Sequence, residues 1–194
     1  GPDWPHRPWS GPGKVPECEG WGYEVMMGRK AALALLDKAL SYSKAQETDI
    51  YLNALDLGLS RFAGGAIHQN VAHGNVVLNV RSVVGNRLGR ATTNDLSDSG
   101  VRKAVDAAHQ NALLMPEDDG FLGLPQPSTA TKVNSWDEAT AFCSPQTRAK
   151  IVNEVCLQGK EHDLNVSGAC RTGVQEIAVV SSLGTRAYHA GTFA

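Results

Sequence analysis

The stretch Val76-Val77-Leu78-Asn79-Val80-Arg81-Ser82-Val83-Val84-Gly85-Asn86-Arg87-Leu88-Gly89-Arg90-Ala91-Thr92-Thr93 decides the fold class. Val76, Leu78, Val80 and Ser82 alternate with Val77, Asn79, Arg81 and Val83, the period of two that a strand with two distinct faces requires. Gly85-Asn86 reads as a tight turn, so 87–93 returns antiparallel to 76–84. Upstream, Ile50, Leu52 and Ala54 alternate with Tyr51, Asn53 and Leu55 across 49–60. Gly64-Gly65 then turns the chain into 66–71, and His73-Gly74-Asn75 punctuates again before 76–84. The pattern predicts a meander of four short antiparallel strands.

Helical periodicity flanks this meander. Ala32, Leu35, Leu36, Ala39 and Leu40 form one apolar stripe in a helix predicted over 28–45. A second helix is predicted over 97–114, with Ser97 as N-cap, Asp98 in the first turn, and Val101, Ala104, Val105, Ala108 and Ala112 as its buried stripe. A sheet with one apolar face and two amphipathic helices packs naturally as two α+β layers.

Residues 116–133 read as a linker, with Glu117, Asp118 and Asp119 followed by Gly120, Gly123, Pro125 and Pro127. A second unit is expected over 134–194. Ser144-Pro145 pairs a cap residue with Pro at the first helical position, and Val152, Val155, Cys156 and Gly159 share one face of the helix that follows. Strands are expected over 164–171, 176–181 and 185–193, with Leu183-Gly184 as a turn. The fold expected is thus a helix–antiparallel meander–helix unit over 27–115, followed by a second, truncated α+β unit. The chain stops at Ala194 inside strand pattern, so it is read as a fragment. Residues 1–26 read as an extended arm rich in Pro, Gly and Trp. Either Met26-Met27 marks the real start behind an added leader, or Trp4, Trp9 and Trp21 dock on another subunit.

The 194 residues are 42% apolar and 20% charged, with a net charge of −2. That balance excludes a disordered, collagen-like or coiled-coil chain. No run approaches the roughly 20 apolar residues of a membrane span. Arg29-Lys30 is the longest basic cluster, which argues against a duplex-DNA grip built on many phosphate contacts. Cys18, Cys143, Cys156 and Cys170 form no C-x-x-C pair, so a zinc ribbon is not supported. With no apolar h-region near the start, the expected setting is the cytoplasm with reduced thiols.

The usual catalytic patterns are missing. A helical zinc-protease motif needs two His on one helix face with a Glu beside the first. None of His6, His68, His73, His109, His162 and His189 is followed by Glu. His68 and His73 lie in strand and turn pattern, off any common helix face. No G-x-S-x-G elbow and no Walker-type Gly-Lys-Ser/Thr occurs. Glu117, Asp118 and Asp119 read as a solvated acidic loop, and Asp49 and Asp56 have no evident acid–base partner. Residue chemistry alone gives an α+β protein without a complete catalytic constellation.

Several segments, in order, resemble the TldD/PmbA family. Arg61-Phe62-Ala63-Gly64-Gly65-Ala66-Ile67-His68-Gln69 looks like its "r-f-x-x-G-x-i-x-q" strand pair, and 80–94 like its "v-R-v-x-x-G-x-r-x-G-x-a-x-t-n" pair. Phe121-Leu122-Gly123-Leu124-Pro125 resembles its "f-x-g-L-p" linker. Ser181-Ser182-Leu183-Gly184 resembles its "N-S-x-G" turn, with Ser181 where Asn is usual. Ser144-Pro145 with Arg148-Ala149 resembles the start of its middle domain. The resemblance covers 27–194 and implies signature positions of a structural kind at Gly65, Arg81, Gly89, Thr93, Asn94, Ser182 and Gly184.

The resemblance also implies a role. Family members are cytoplasmic metallopeptidases, or their non-catalytic paired partners, that trim peptides and unfolded segments; some carry the label modulator of DNA gyrase. Their zinc lies in a later domain on an H-E-x-x-x-H helix. No catalytic or metal residue can therefore be carried over to this chain, and zinc is expected only in a C-terminal module outside it. The implied partners are a TldD/PmbA-type subunit, in a homo- or heterodimer, and a peptide substrate. The edges of 176–181, 185–193 and the first unit are candidates for taking up an extended peptide.

Overall fold

Gly64 and Gly65, at φ of +58° and +76°, reverse the chain between two long strands. A two-residue hairpin needs both central residues left-handed, and glycine reaches that region without a Cβ penalty. The computed structural model describes residues 25–129, 131 and 133–194, so the expectations placed on Trp4, Trp9, Trp21, Cys18 and His6 lie outside the described residues. The elements are α1 (Gly28–Leu40), β1 (Glu47–Ala63), β2 (Ala66–Val84), β3 (Arg87–Thr93), α2 (Asp98–Leu114), α3 (Glu138–Ala141), α4 (Pro145–Glu161), β4 (Gly168–Ser181) and β5 (Arg186–Phe193). The class is α+β, as the sequence predicts.

One antiparallel sheet of five strands runs in the order β3-β2-β1-β4-β5. Two sequence-based boundaries are corrected. Glycine and asparagine at 73–75 predict a break, yet β2 runs unbroken, with Leu57 opposite His73, Asp56 opposite Gly74 and Leu55 opposite Asn75. Strand preference depends on neighbours more than on the residue itself, and β1 supplies a full-length partner. The same applies at 172–175, where β4 is continuous and pairs with β1 from Asp49–Ser181 to Phe62–Gly168. The linker 116–133 therefore divides the sequence but not the sheet. The edge of β1 away from β2 is occupied by β4, so the strands after the linker extend the sheet begun before it.

The helices stack on one face. Ile50 and Leu52 of β1, Leu78 and Val80 of β2, and Ala178 and Val180 of β4 pack with Ala32, Leu33, Leu36 and Ala39 of α1 and Val101, Ala104, Val105 and Ala108 of α2. Each fully buried Ile, Leu or Val here contributes about 1.5–3 kcal/mol of transfer free energy. Farther along the same face, Phe62 packs on Val152 and Cys156 of α4. α1 ends at Leu40, short of the predicted 45, and buries Leu33 more deeply than Leu35 or Leu40. The α2 stripe is as predicted, and Ser97 accepts from the Gly100 amide at 3.1 Å. In α4, Val155 turns out 45% exposed, and Arg148 takes an inward position instead.

The opposite face carries the chain that links α2 to α3. The Leu124 amide donates to Glu47 Oε2 at 2.9 Å, and the Thr192 amide donates to the Ser135 carbonyl at 2.8 Å. Ser135 Oγ lies 2.7 Å from His189 Nε2. Among the described residues, no helix is long and apolar enough to cross a membrane.

Candidate functional site

The positions that the resemblance singles out lie at turns, strand contacts and one helix–strand approach. Arg81 and Asp49 face each other across β1 and β2, with Nε to Oδ1 at 3.0 Å and a second, shorter contact from Nη2 to Oδ2. This two-pronged pair is the partner that Asp49 lacks in the sequence. Gly89 lies under α2, where a Cβ would collide with the Ala108 carbonyl and the Ala112 amide. Thr93 Oγ1 accepts from the Asp95 amide at 3.0 Å, and Asn94 sits exposed between them at the β3–α2 junction. The Ser182 amide donates to the Thr48 carbonyl at 2.8 Å, and its hydroxyl accepts from the Thr48 amide at 2.9 Å. Gly184, at φ +99°, closes the turn by donating to the Ser181 carbonyl at 3.1 Å. Gly65 has open space around it and serves through its φ.

Among the described residues, no three of His, Cys, Asp and Glu sit together as metal ligands. His68 and His73 are exposed on β2. Glu117 pairs with Arg87 at 3.1 Å, and Asp118 accepts from the Gly120 amide at 3.0 Å, which fastens the acidic loop beside the β2–β3 turn. Burial pushes the Cys170 thiol up and neighbouring Cys143 adds to this, while Arg148 opposes both. A thiol with a raised pKa is a poor nucleophile.

Two buried ionisable side chains were not anticipated. Arg148, 4% exposed, donates from Nη1 to the Cys143 carbonyl at 2.8 Å and to Thr172 Oγ1 at 3.0 Å. Gly58 makes room for it, since a Cβ there would lie 2.5 Å from the guanidinium carbon. Glu176, fully buried, accepts from the Met27 amide through Oε2 at 2.8 Å. A carboxylate there neutralises exposed amides and complements the positive end of the α1 dipole. Burial pushes the Tyr188 phenol up, and the facing Glu176 carboxylate adds to it. The signals were present in the sequence: an acid on the inward parity of β4 between Val174 and Ala178, and a glycine inside β1.

The sheet edges complete the geometry. β4 lies between β1 and β5, so the predicted peptide-accepting edge at 176–181 is already paired on both sides. Ser135 and Asp137 occupy the outer side of β5 around Thr192. On β3, the Asn111 side chain takes the Arg90 carbonyl at 2.9 Å. β2 meets β3 only over 78–84, so among the described residues 66–77 has a strand neighbour on one side. Near this edge a groove between the hairpin turn and α4 is lined by Gly64, Gly65, Asn153, Leu157, Lys160 and Leu164.

Residues 49–112 match the family described as PmbA/TldA metallopeptidase domain 1. The fold is shared with TldE from Thermococcus kodakarensis, at TM-score 0.72 and 18% identity over 82% of this chain and 36% of that one. It is shared with a proposed modulator of a DNA gyrase from Thermotoga maritima, at TM-score 0.68 and 13% identity over 82% and 37%. A proposed modulator of DNA gyrase from Bacteroides thetaiotaomicron gives TM-score 0.68 and 17% identity over 84% and 38%. The chain thus spans 36–38% of the length of these solved structures. Among curated proteins none matches it. The first-domain match over 49–112 and the shared fold thus set this chain beside the N-terminal portion of TldD/PmbA-type proteins.

Proposed function

We propose that this chain is the scaffold and peptide-guiding part of a TldD/PmbA-type zinc metallopeptidase that trims peptides or unfolded segments in the cytoplasm. The observation that carries the reading is the match of 49–112 to the first domain of a family named for metallopeptidase activity. The described residues do not fit zinc. A zinc site needs three or four N, S or O donors converging on one point, and no such group forms. On this reading the metal and its activated water are supplied from outside the described residues, as the family's metallopeptidase name suggests. What this chain contributes is a rigid five-stranded sheet, fastened at its turns, and an edge that can hold main chain. Its expected protein partner is a TldD/PmbA-type subunit.

The test has two arms. The purified chain, incubated with zinc chloride, is expected to bind no stoichiometric zinc and to cleave no peptide. Mixed with a TldD/PmbA-type subunit, it is expected to give a one-to-one complex by native mass spectrometry. Stoichiometric zinc held by His or Cys of this chain, or failure to associate with any such subunit, overturns the proposal.

A further inference from the structure

The described cysteines gather around α4. Cys143 lies in the link between Phe142, the C-cap of α3, and Ser144, the N-cap of α4. Cys170 is on the helix-bearing face of β4 and packs against the cluster of Phe62, Val152 and Cys156. Arg148 draws the two segments together, since its Nη1 donates both to the Cys143 carbonyl at 2.8 Å and to Thr172 Oγ1 at 3.0 Å. Thr172 is the next residue of β4 on the face of Cys170, about 7 Å along the strand. Cys143 and Cys170 are half-buried, within reach of small solutes, whereas Cys156 is buried. Arg148 is a buried cation whose Nε has no hydrogen-bond partner among the described residues, and its Nη1 bonds end on an uncharged carbonyl and hydroxyl. A cation so placed favours a thiolate beside it.

We propose that Cys143 and Cys170 are a redox pair: a hydroperoxide closes them into a reversible disulfide that clamps the start of α4 to β4. Cys143 reacts first, because burial holds Cys170 protonated at rest. Its thiolate attacks one oxygen of hydrogen peroxide, the O–O bond breaks, and the leaving hydroxide takes a proton to become water. The Cys170 sulfur then gives up its proton and attacks the sulfenic sulfur of Cys143. The S–S bond forms, the S–O bond breaks, and the oxygen leaves as a second water. The two thiols lose two electrons and two protons, and the peroxide is reduced; a dithiol reverses the change by exchange. A disulfide brings its Cα atoms to about 4.4–6.8 Å. The link at 143 can move that far without disturbing a helix, whereas Cys156 is held inside α4 and could join β4 only if the helix moved with it. Asn153, Leu157 and Lys160 of α4 line the groove beside the hairpin turn, so the clamp fixes one wall of that groove.

Peptide mapping of the 194-residue chain, with Cys18→Ser to remove the remaining thiol, tests this. Trypsin cuts after Lys132, Arg148, Lys150, Lys160 and Arg171, so Cys143, Cys156 and Cys170 fall on three separate peptides. After hydrogen peroxide, the intact chain is expected to lose two hydrogens, and the Cys143 and Cys170 peptides are expected to appear joined until a dithiol is added. Amide exchange within 145–161 is expected to slow by about tenfold or more in the oxidised chain, since a cross-link restrains opening. In Cys170→Ser the sulfenic acid is expected to accumulate at Cys143, where dimedone captures it, and Cys156→Ser is expected to close the disulfide as before. A Cys156–Cys170 bond, a disulfide between two copies, or separate over-oxidised cysteines without a joined peptide would each overturn the pairing. Unchanged exchange in α4 with the bond formed would overturn the clamp. None of these outcomes bears on the peptidase reading, which is tested by zinc and subunit binding.

Discussion

Gly89 of β3 and Ala112 of α2 approach so closely that no side-chain carbon fits between strand and helix. The obstacle to a larger residue is backbone on both counts, the Ala108 carbonyl and the Ala112 amide, and helix backbone cannot step aside as a side-chain tip can. Gly89→Ala is therefore expected to cost about 3 kcal/mol, toward the upper end for overpacking. Gly65→Ala should cost only about 1–2 kcal/mol, because its surroundings are open and the penalty is the left-handed backbone alone. Urea denaturation of the two variants checks the ranking, and equal losses would contradict it.

The α1–α2 contact carries a charge hub with a defined pH signature. Lys38 Nζ lies 2.7 Å and Arg102 Nε 2.8 Å from the Asp98 carboxylate, and the Tyr42 hydroxyl also donates to it. Hydrogen bonds from Lys38, then Tyr42 and Arg102, hold the Asp98 carboxyl well below the usual carboxylate range. A depressed folded pKa favours the folded state above the unfolded value of about 3.9 and loses that effect as pH falls below it. The stability gap between the native chain and Asp98→Asn should be present at neutral pH and shrink progressively in acid below about pH 4. The hub is solvent-exposed, so added salt should narrow the gap as well. Urea melts across pH and salt read both effects, and a gap that widens in acid would refute the assignment.

Glu176 ties β4 to the start of α1 through the Met27 amide. Glu176→Gln keeps the shape and removes the charge, so about 1 kcal/mol should be lost, the scale of a charge at a helix terminus. The loss should concentrate at the first turn of α1. Faster amide exchange at 27–30, without faster exchange at 101–108 of α2, is the expected pattern. Uniform acceleration would mean that the carboxylate serves the whole core instead.

Legibility of the sequence tracked how local each cause was. The α2 stripe could be read because one periodic face meets one sheet, and Ser97 because a cap acts within three residues of itself. The β2 break at 73–75 could not, since Gly74 stays in strand only because β1 supplies Asp56 opposite it. Gly74 also leaves room for Val25, whose Cγ1 would lie 3.1 Å from a Cβ. The adoption of β4 by the first unit's sheet was equally hidden, because strand order is set by contacts across more than a hundred positions. Of the candidate site, the resemblance named the turns. The open edge of β2 appears only when β3 is seen to stop at Thr93, opposite Leu78.

Arg148 and Gly58 give the sharpest coupling to measure. The guanidinium fills the space that a side chain at 58 would need, and its Nη1 is committed to the Cys143 carbonyl and Thr172. Gly58→Ala should therefore cost about 2 kcal/mol in the native background, from displacing a buried, hydrogen-bonded cation. Arg148→Met removes those bonds and leaves a flexible side chain that can move aside. In that background Gly58→Ala should cost less than 1 kcal/mol, giving an interaction energy of about 1–2 kcal/mol in a double-mutant cycle. Strict additivity would mean that the glycine is present for the strand itself, with Arg148 merely adjacent. An Arg148→Lys variant separates charge from shape: lysine keeps the charge but not the planar fork, so it should lose about as much as Arg148→Met.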